Sequence, residues 1–348
     1  MQAITYVDQM QVQLDSVEDP RVLESGDAIV AVSLAGICGS DLHVLHGRES
    51  GIDVGTVMGH EFVGEVVEVG SSVHTVRPGK RVMSPFTTSC GHCYFCGTGL
   101  TSRCDRSRLF GWVQNGVGLQ GAQAQYIRVP DADGTLLELE SDIDESVGVL
   151  LGDILSTGYF CALQAGVEAD GVYVVVGCGP VGLLTIAAAR HLGATCVYAV
   201  DRVADRLLRA VDFGAIPIDG ATEDVVARLH SENDGRGADA VMEVVGNADA
   251  HRLAIDLLRP GGTLSVVGVH NEPQFSFSPT EAYDKNLTYR VGRCPARHLM
   301  EQLLPFARDN QSTLASLVSH VLPLADGAHG YDIFDRKLDG CTKVVLRV

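Results

Sequence analysis

Through the first 150 residues, short stretches in which apolar and polar positions alternate, or in which β-branched residues crowd together, are separated by glycine. Residues 28–34, 61–69 and 80–84 are the clearest, and Gly36, Gly39, Gly59, Gly64, Gly70 and Gly79 punctuate them. A period of two predicts half-buried strands, and the glycines predict tight connections. Beyond residue 150 the pattern changes. Residues 172–176 form an unbroken apolar run, as in a strand covered on both faces. A glycine turn then leads into a helix predicted over 180–191. Further strands are predicted at 196–200, 216–218, 240–245, 263–269 and 287–291, with a helix over 205–213. Strands alternating with helices predict a parallel, doubly wound sheet. After residue 294 a helix is predicted over 297–308, with Pro305 a candidate early stop, and a last strand over 342–348. The expected organisation is a β-rich domain over 1–150 and 294–348, with an α/β domain over 151–293 inserted into it.

Composition narrows the function classes. An apolar content of 46% suits a chain that buries full cores, and a length of 348 residues suits two domains of about 100–200 residues each. A net charge of −18 disfavours nucleic acid and anionic membrane surfaces, which are bound through excess lysine and arginine. The longest apolar runs are too short to cross a bilayer. The first residues lack a basic stretch followed by an apolar one, so no signal peptide is expected and the cytoplasm is the expected location. In that compartment the ten cysteines are expected as thiols or metal ligands, not as disulfides.

The turn Gly177-Cys178-Gly179-Pro180-Val181-Gly182 has the form GxGxxG directly after a buried strand and opening a helix. The first glycine permits the tight turn, and the second admits a pyrophosphate close to the backbone. The third lets the helix pack on its strand. The helix N-terminus offers free N–H groups to phosphate, and proline is tolerated in the first turn. Asp201 ends the next strand, where a carboxylate accepts hydrogen bonds from ribose hydroxyls and repels a 2′-phosphate. NAD is therefore favoured over NADP, with the adjacent Arg202 a softening influence.

Cys90, Cys93 and Cys96 have CxxCxxC spacing, and Cys104 follows after a gap of seven residues. Gly91, Gly97 and Gly99 allow a tight loop, so residues 87–107 are expected as a lobe of their own. Four thiolates with no open position describe a closed structural zinc site. The rival iron–sulfur pattern places its fourth cysteine three residues on and follows it with proline; here Asp105 follows.

A second group is looser. Cys38-Gly39-Ser40-Asp41-x-His43 and Gly59-His60-Glu61 put a thiolate, an imidazole and carboxylates on glycine-flanked turns. A catalytic zinc takes three protein ligands and leaves one position open. Cys38 and His60 supply two. Asp153 is an acid within an otherwise apolar segment, and a metal would explain a carboxylate there.

With these pieces assembled, the chain resembles the zinc-containing medium-chain dehydrogenase/reductases, the alcohol dehydrogenase group, over nearly its whole length. The resemblance rests on Gly36-Ile37-Cys38-Gly39-Ser40-Asp41-x-His43, Gly59-His60-Glu61-x-x-Gly64-x-Val66, the four-cysteine lobe and Val176 through Gly182. It implies a GroES-like β-rich catalytic domain with an inserted Rossmann domain. It also implies two zinc ions per chain, NAD, a small alcohol or aldehyde as substrate, and a homodimer or homotetramer. The catalytic zinc would rest on Cys38, His60 and position 153, with Glu61 beside it. Many members carry cysteine at that third position. Asp153 matches members similar to certain secondary alcohol dehydrogenases and formaldehyde dehydrogenases; it keeps the charge but is a harder ligand, so readier metal exchange is expected. Ser40 and His43 would carry the substrate's proton outward. Thr157 would contact nicotinamide, Arg206 the adenosine ribose, Val267 and Val269 the carboxamide, and Lys343 the pyrophosphate. Phe86 would line the substrate pocket. A polyol dehydrogenase and a formaldehyde dehydrogenase are alternatives, the latter because residues 121–126 and 151–159 look like that branch. A redox sensor that binds NAD without turnover is the non-enzyme alternative. A zinc-free quinone reductase would not need the cysteine and histidine sets.

Overall fold

A computed structural model describes the whole chain, Met1–Val348. It divides into two units, Met1–Ser156 with Pro295–Val348, and Thr157–Cys294. The first boundary falls after Ser156, not after residue 150. The reason is the helix Glu145–Gly152, whose residues from Val147 to Gly152 are all buried. A Cβ added at Gly148 would stand 3.0 Å from Val63, and one at Gly152 only 2.1 Å from the Ser84 carbonyl. That helix therefore packs on strands of the first unit and carries Asp153, at its C-terminal end, with it.

The first unit is built on a seven-stranded sheet. Its path runs Val318–Pro323, Lys343–Arg347, Ala28–Ile37, Phe62–Val69, Arg81–Ser84, Leu137–Glu138, and Tyr126–Val129 also pairs with Ala28–Ile37. Only the Val318–Pro323 and Lys343–Arg347 pair is parallel. Val30, Phe62, Val66, Val82, Phe110 and Ile127 fill one core of this unit. The last strand of the chain thus pairs with an early one, so the sheet is completed only when residues after 294 return. The helix Ala296–Asp309 does not stop at Pro305 but runs through it. Leu303, Phe306 and Ala307 are buried on either side, whereas Pro305 itself is exposed. Burial of those neighbours outweighs the hydrogen bond that proline cannot donate.

The second unit is a six-stranded, wholly parallel sheet in the order Ile216–Asp219, Cys196–Asp201, Val172–Val176, Ala238–Glu243, Leu258–Val266, Thr288–Val291. The chain starts at the sheet's centre and works outward on both sides, so the topological switch point lies between Val172–Val176 and Ala238–Glu243. Helices Pro180–His191, Ala204–Asp212, Val225–Glu232 and Ala248–Leu257 connect the strands. Two strands end earlier than their apolar patterns predict, at Glu243 and Val266. The Glu243 carboxylate accepts the Val245 and Gly246 N–H groups at 2.7 and 2.8 Å. Its backbone carbonyl takes those of Val267 and Gly268. Valines that read as strand are thereby turned into exit loops. No single helix is long and apolar enough to cross a membrane.

Candidate metal and dinucleotide sites

Cys38, His60 and Asp153 come from three separate pieces of the first unit. Cys38 ends the Ala28–Ile37 strand and opens the short helix Gly39–Leu45. His60 precedes the Phe62–Val69 strand, and Asp153 follows the buried helix Glu145–Gly152. Their ligand atoms lie within 4.8 Å of one another, and all three residues are buried. Cys38 Sγ is 3.5 Å from Asp153 Oδ2, and His60 Nε2 is 3.3 Å from the same oxygen. Ser40 Oγ stands 3.2 Å from His60 Nε2, and the Phe86 ring meets His60 edge-on at 6.5 Å.

Asp41 organises this set, a role its place in the motif alone does not reveal. One oxygen accepts the Cys38 N–H at 2.9 Å and the other faces His60 Nδ1 at 3.3 Å. A carboxylate behind one ring nitrogen fixes the ring's direction and leaves the other nitrogen for a metal. The available signal was a carboxylate three residues after the residue that opens a helix, as in a capping box.

Glu61 is fully buried, and Lys343, 1% exposed, donates to its Oε2. Glu61 Oε1 has no hydrogen-bond partner. A Cβ at Gly36 would fall 2.0 Å from the Glu61 carboxylate, so glycine there is what makes room for it. Lys343, which the resemblance assigns to pyrophosphate, is therefore closed in on Glu61 and does not stand as an open cation. Close by, the buried Tyr331 hydroxyl donates to Gln123 at 3.0 Å, and Gln123 donates to the Gly36 carbonyl.

The electrostatics are those of a cation site. Burial raises the Cys38 thiol, and the Glu61 and Asp153 carboxylates add to the effect. Burial works against the charged form of His60, but Asp41 and Asp153 prevail and push the imidazole well above its ordinary range. Burial likewise opposes ionisation of Asp153, yet the bonds from His60 hold it below the usual carboxylate value. Burial pushes Glu61 up to about 7 despite Lys343. A thiol, an imidazole and a carboxylate, with a further unpartnered carboxylate oxygen nearby, fit a zinc-type ion with one position left open.

In the lobe, the sulfurs of Cys90, Cys93, Cys96 and Cys104 also lie within 4.8 Å of one another. Backbone N–H groups point at them: Cys90 N to Cys104 Sγ at 3.2 Å, Cys93 N to Cys90 Sγ at 3.4 Å, and Arg106 N to Cys104 Sγ at 3.4 Å. N–H donors from Cys96 and Asp105 draw Cys93 down to about 6. Gly91 and Gly99 take left-handed backbone angles of +80° and +81°. Four thiolates would more than balance a divalent cation and leave it no open position.

In the second unit Gly177 turns the chain with φ of +99°, and Gly179 precedes the helix that Pro180 and Val181 begin. A Cβ on Gly182 would lie 1.8 Å from the Gly177 carbonyl oxygen. Asp201 ends its strand with one oxygen accepting Cys178 N at 2.7 Å and the other accepting Arg202 N and Val203 N at 2.7 and 2.9 Å. The Arg206 guanidinium is 3.9 Å from Asp201 and lies over Gly179. Val267 and Val269 fall in the exit loop after Leu258–Val266, and Thr157 is the first residue of the unit.

Residues 24–140 match the alcohol dehydrogenase GroES-like domain family, and residues 180–309 match the zinc-binding dehydrogenase family. The chain belongs to the zinc-dependent alcohol dehydrogenases of the medium-chain family. It is 41% identical to zinc-type alcohol dehydrogenase B of Aspergillus flavus over 96% of this chain and 79% of that one. It is 34% identical to an uncharacterised zinc-type alcohol dehydrogenase-like protein of Bacillus subtilis over the full length of both. Among solved structures, the alcohol dehydrogenase TADH of Thermus sp. ATN1 superposes over both whole chains, with a TM-score of 0.94 and 39% identity. This zinc-dependent alcohol dehydrogenase is therefore an oxidoreductase acting on a small alcohol, and the GroES-like and Rossmann parts are its two fold components.

Proposed function

We propose that this dehydrogenase transfers hydride between a small alcohol, or its aldehyde or ketone, and NAD, using one zinc for chemistry and one for structure. The observation that carries the reading is the convergence of Cys38, His60 and Asp153 within 4.8 Å, backed by Asp41. Cys38, His60 and Asp153 would hold the first zinc, and Cys90, Cys93, Cys96 and Cys104 the second. When bound, the first zinc supplies a Lewis acid to the substrate oxygen and the dinucleotide supplies the hydride acceptor. Ser40, beside His60, would receive the substrate's proton. His43 would pass it on: burial, then Arg48 and His46, hold its imidazole below the usual range, so it stays neutral and able to accept. Glu61 would sit buried beside the metal, its carboxyl held in place by Lys343. Phe86 would narrow the substrate's approach.

For the dinucleotide, Gly177, Gly179, Pro180, Val181 and Gly182 would receive the pyrophosphate at the helix N-terminus. Asp201 would accept the ribose hydroxyls, and its negative charge would repel a 2′-phosphate. Arg202 and Arg206 would lie along the adenosine side, and Thr157, Val267 and Val269 around nicotinamide. Lys343, expected at the pyrophosphate, is engaged with Glu61. The outer edge of Thr288–Val291 has no partner within the chain and exposes Val291; such an edge favours a homodimer or homotetramer. Ten free cysteines suit a reducing compartment such as the cytoplasm.

The experiment is zinc content per chain, with a screen of NAD⁺ and NADP⁺ reduction over primary alcohols, secondary alcohols, polyols and formaldehyde. Two zinc ions and turnover with NAD⁺ on one class are expected. One zinc, dinucleotide binding and no turnover would replace this reading with the sensor.

A further inference from the structure

A buried polar pair that the proposed reaction leaves unused is centred on Glu243. Its side chain is wholly buried at the end of the Ala238–Glu243 strand. An unsatisfied carboxylate there would be costly, and this one is tied on both oxygens. Oε1 accepts Val245 N and Gly246 N, and Oε2 accepts from His270 Nε2 at 2.9 Å. His270 sits in the exit loop of the neighbouring strand, Leu258–Val266. One side chain therefore clamps the exits of two adjacent parallel strands.

These loops press on each other. A Cβ at Gly246 would be 2.4 Å from the Val269 carbonyl, and one at Gly268 would be 2.3 Å from Gly246 N and 2.9 Å from Glu243 Oε2. They also press on the glycine turn, because Val245 Cγ2 lies 2.5 Å from where a Gly177 Cβ would stand. The chain of contact runs from His270 through Glu243 and Val245 to Gly177. It follows the carboxyl ends of the strands at the switch point, where sheets of this kind bind ligands. An aromatic cluster packs beside it. His251, 3% exposed, packs 5.1 Å from the His270 ring, with Phe277 and Tyr289 at 5.6 and 5.7 Å on its other sides. The Glu243 end of the bond is wholly buried and His270 only partly exposed, so the bond is electrostatically stronger than one in water.

We propose that the His270–Glu243 bond is a positioning device for the dinucleotide, holding both exit loops against the Gly177 turn and thereby setting cofactor affinity. The proposal rests on the dinucleotide reading above. His270 acts through Glu243 and the backbone it holds; it is not a catalytic residue.

The test is NADH binding to the full-length, zinc-loaded enzyme, followed by the rise in NADH fluorescence, for wild type, His270→Ala and His270→Gln. In His270→Ala, Kd is expected to rise roughly tenfold, within the scale of interaction between residues of one hydrogen-bond network. With saturating dinucleotide, kcat should stay within about twofold, as for a residue whose contribution is to binding. His270→Gln keeps a neutral N–H donor at the same end of the side chain and is expected to recover most of the affinity. Unchanged Kd in a folded His270→Ala variant, or a His270→Gln variant that binds no better than a folded alanine one, would overturn the proposal. If the alanine variant does not fold, His270→Phe, which fills the same space but cannot donate to Glu243, takes its place: a raised Kd upholds the proposal and an unchanged one overturns it. Wild-type enzyme that binds neither NADH nor NADPH would remove the dinucleotide reading itself, and this inference with it.

Discussion

His43 lies on the Gly39–Leu45 helix whose first turn carries Ser40, and its depressed pKa sets the sign of its effect on rate. A histidine that resists protonation keeps its accepting form to lower pH. The acid limb of the pH–rate profile should therefore lie below the ordinary imidazole value of about 6.5. Replacing His43 with alanine should slow turnover by roughly tenfold or more at mildly acidic pH, with recovery at higher pH as solvent takes over. An identical profile in the variant would take His43 out of proton transfer. The third ligand position makes a separate prediction. An Asp153→Cys variant supplies a softer donor and should lose metal to a chelator severalfold more slowly, and accept cobalt less readily, than wild type. Equal rates of loss would show that Asp153 does not govern exchange. At this scale the sequence singled out the three side chains that the structure gathers, because cysteine, histidine and an acid in an apolar run are unusual company. It did not disclose what steadies them. Lys343 and Glu61 are 282 positions apart, and no local spacing announces that a lysine near one end of the chain neutralises a glutamate near the other.

Secondary structure was legible where burial and backbone preference agreed. The strand Val172–Val176 and the helix Pro180–His191 coincide with their apolar patterns, since a strand covered on both faces and a glycine turn leave little choice. The strand ends at Glu243 and Val266 were not legible, because one carboxylate and one carbonyl, both of Glu243, divert the valines that follow. The helix Ala296–Asp309 shows the converse, a local breaker overridden by packing. Pro305 denies the Glu301 carbonyl its usual donor at a cost of about 3 kcal/mol in a helix interior. It returns up to about 1 kcal/mol by restricting the unfolded chain. The first effect is the larger, so Pro305→Ala should stabilise the protein by about 2 kcal/mol, read as a higher midpoint in urea or heat. A lower midpoint would mean that the helix has already relaxed around the ring.

For the whole molecule, the interrupted first unit carries both metal sets and the inserted second unit carries the dinucleotide turn. The insertion was visible as a change of pattern near residue 150 and a return after residue 294. The boundary itself was not, because the helix Glu145–Gly152 is as apolar as the segment beyond it and belongs to the first unit through packing on Val63 and Ser84. That assignment matters, since it places Asp153 beside Cys38 and His60. Zinc at those three residues is the claim on which the proposed reaction depends. Its most direct test is alcohol-dependent NAD⁺ reduction by wild type and Asp153→Ala side by side, with zinc counted in each. Active wild type with two zinc ions, and an inactive variant that keeps one zinc and still binds NADH, is the predicted result. A variant that loses no zinc and turns over as wild type does would contradict the account.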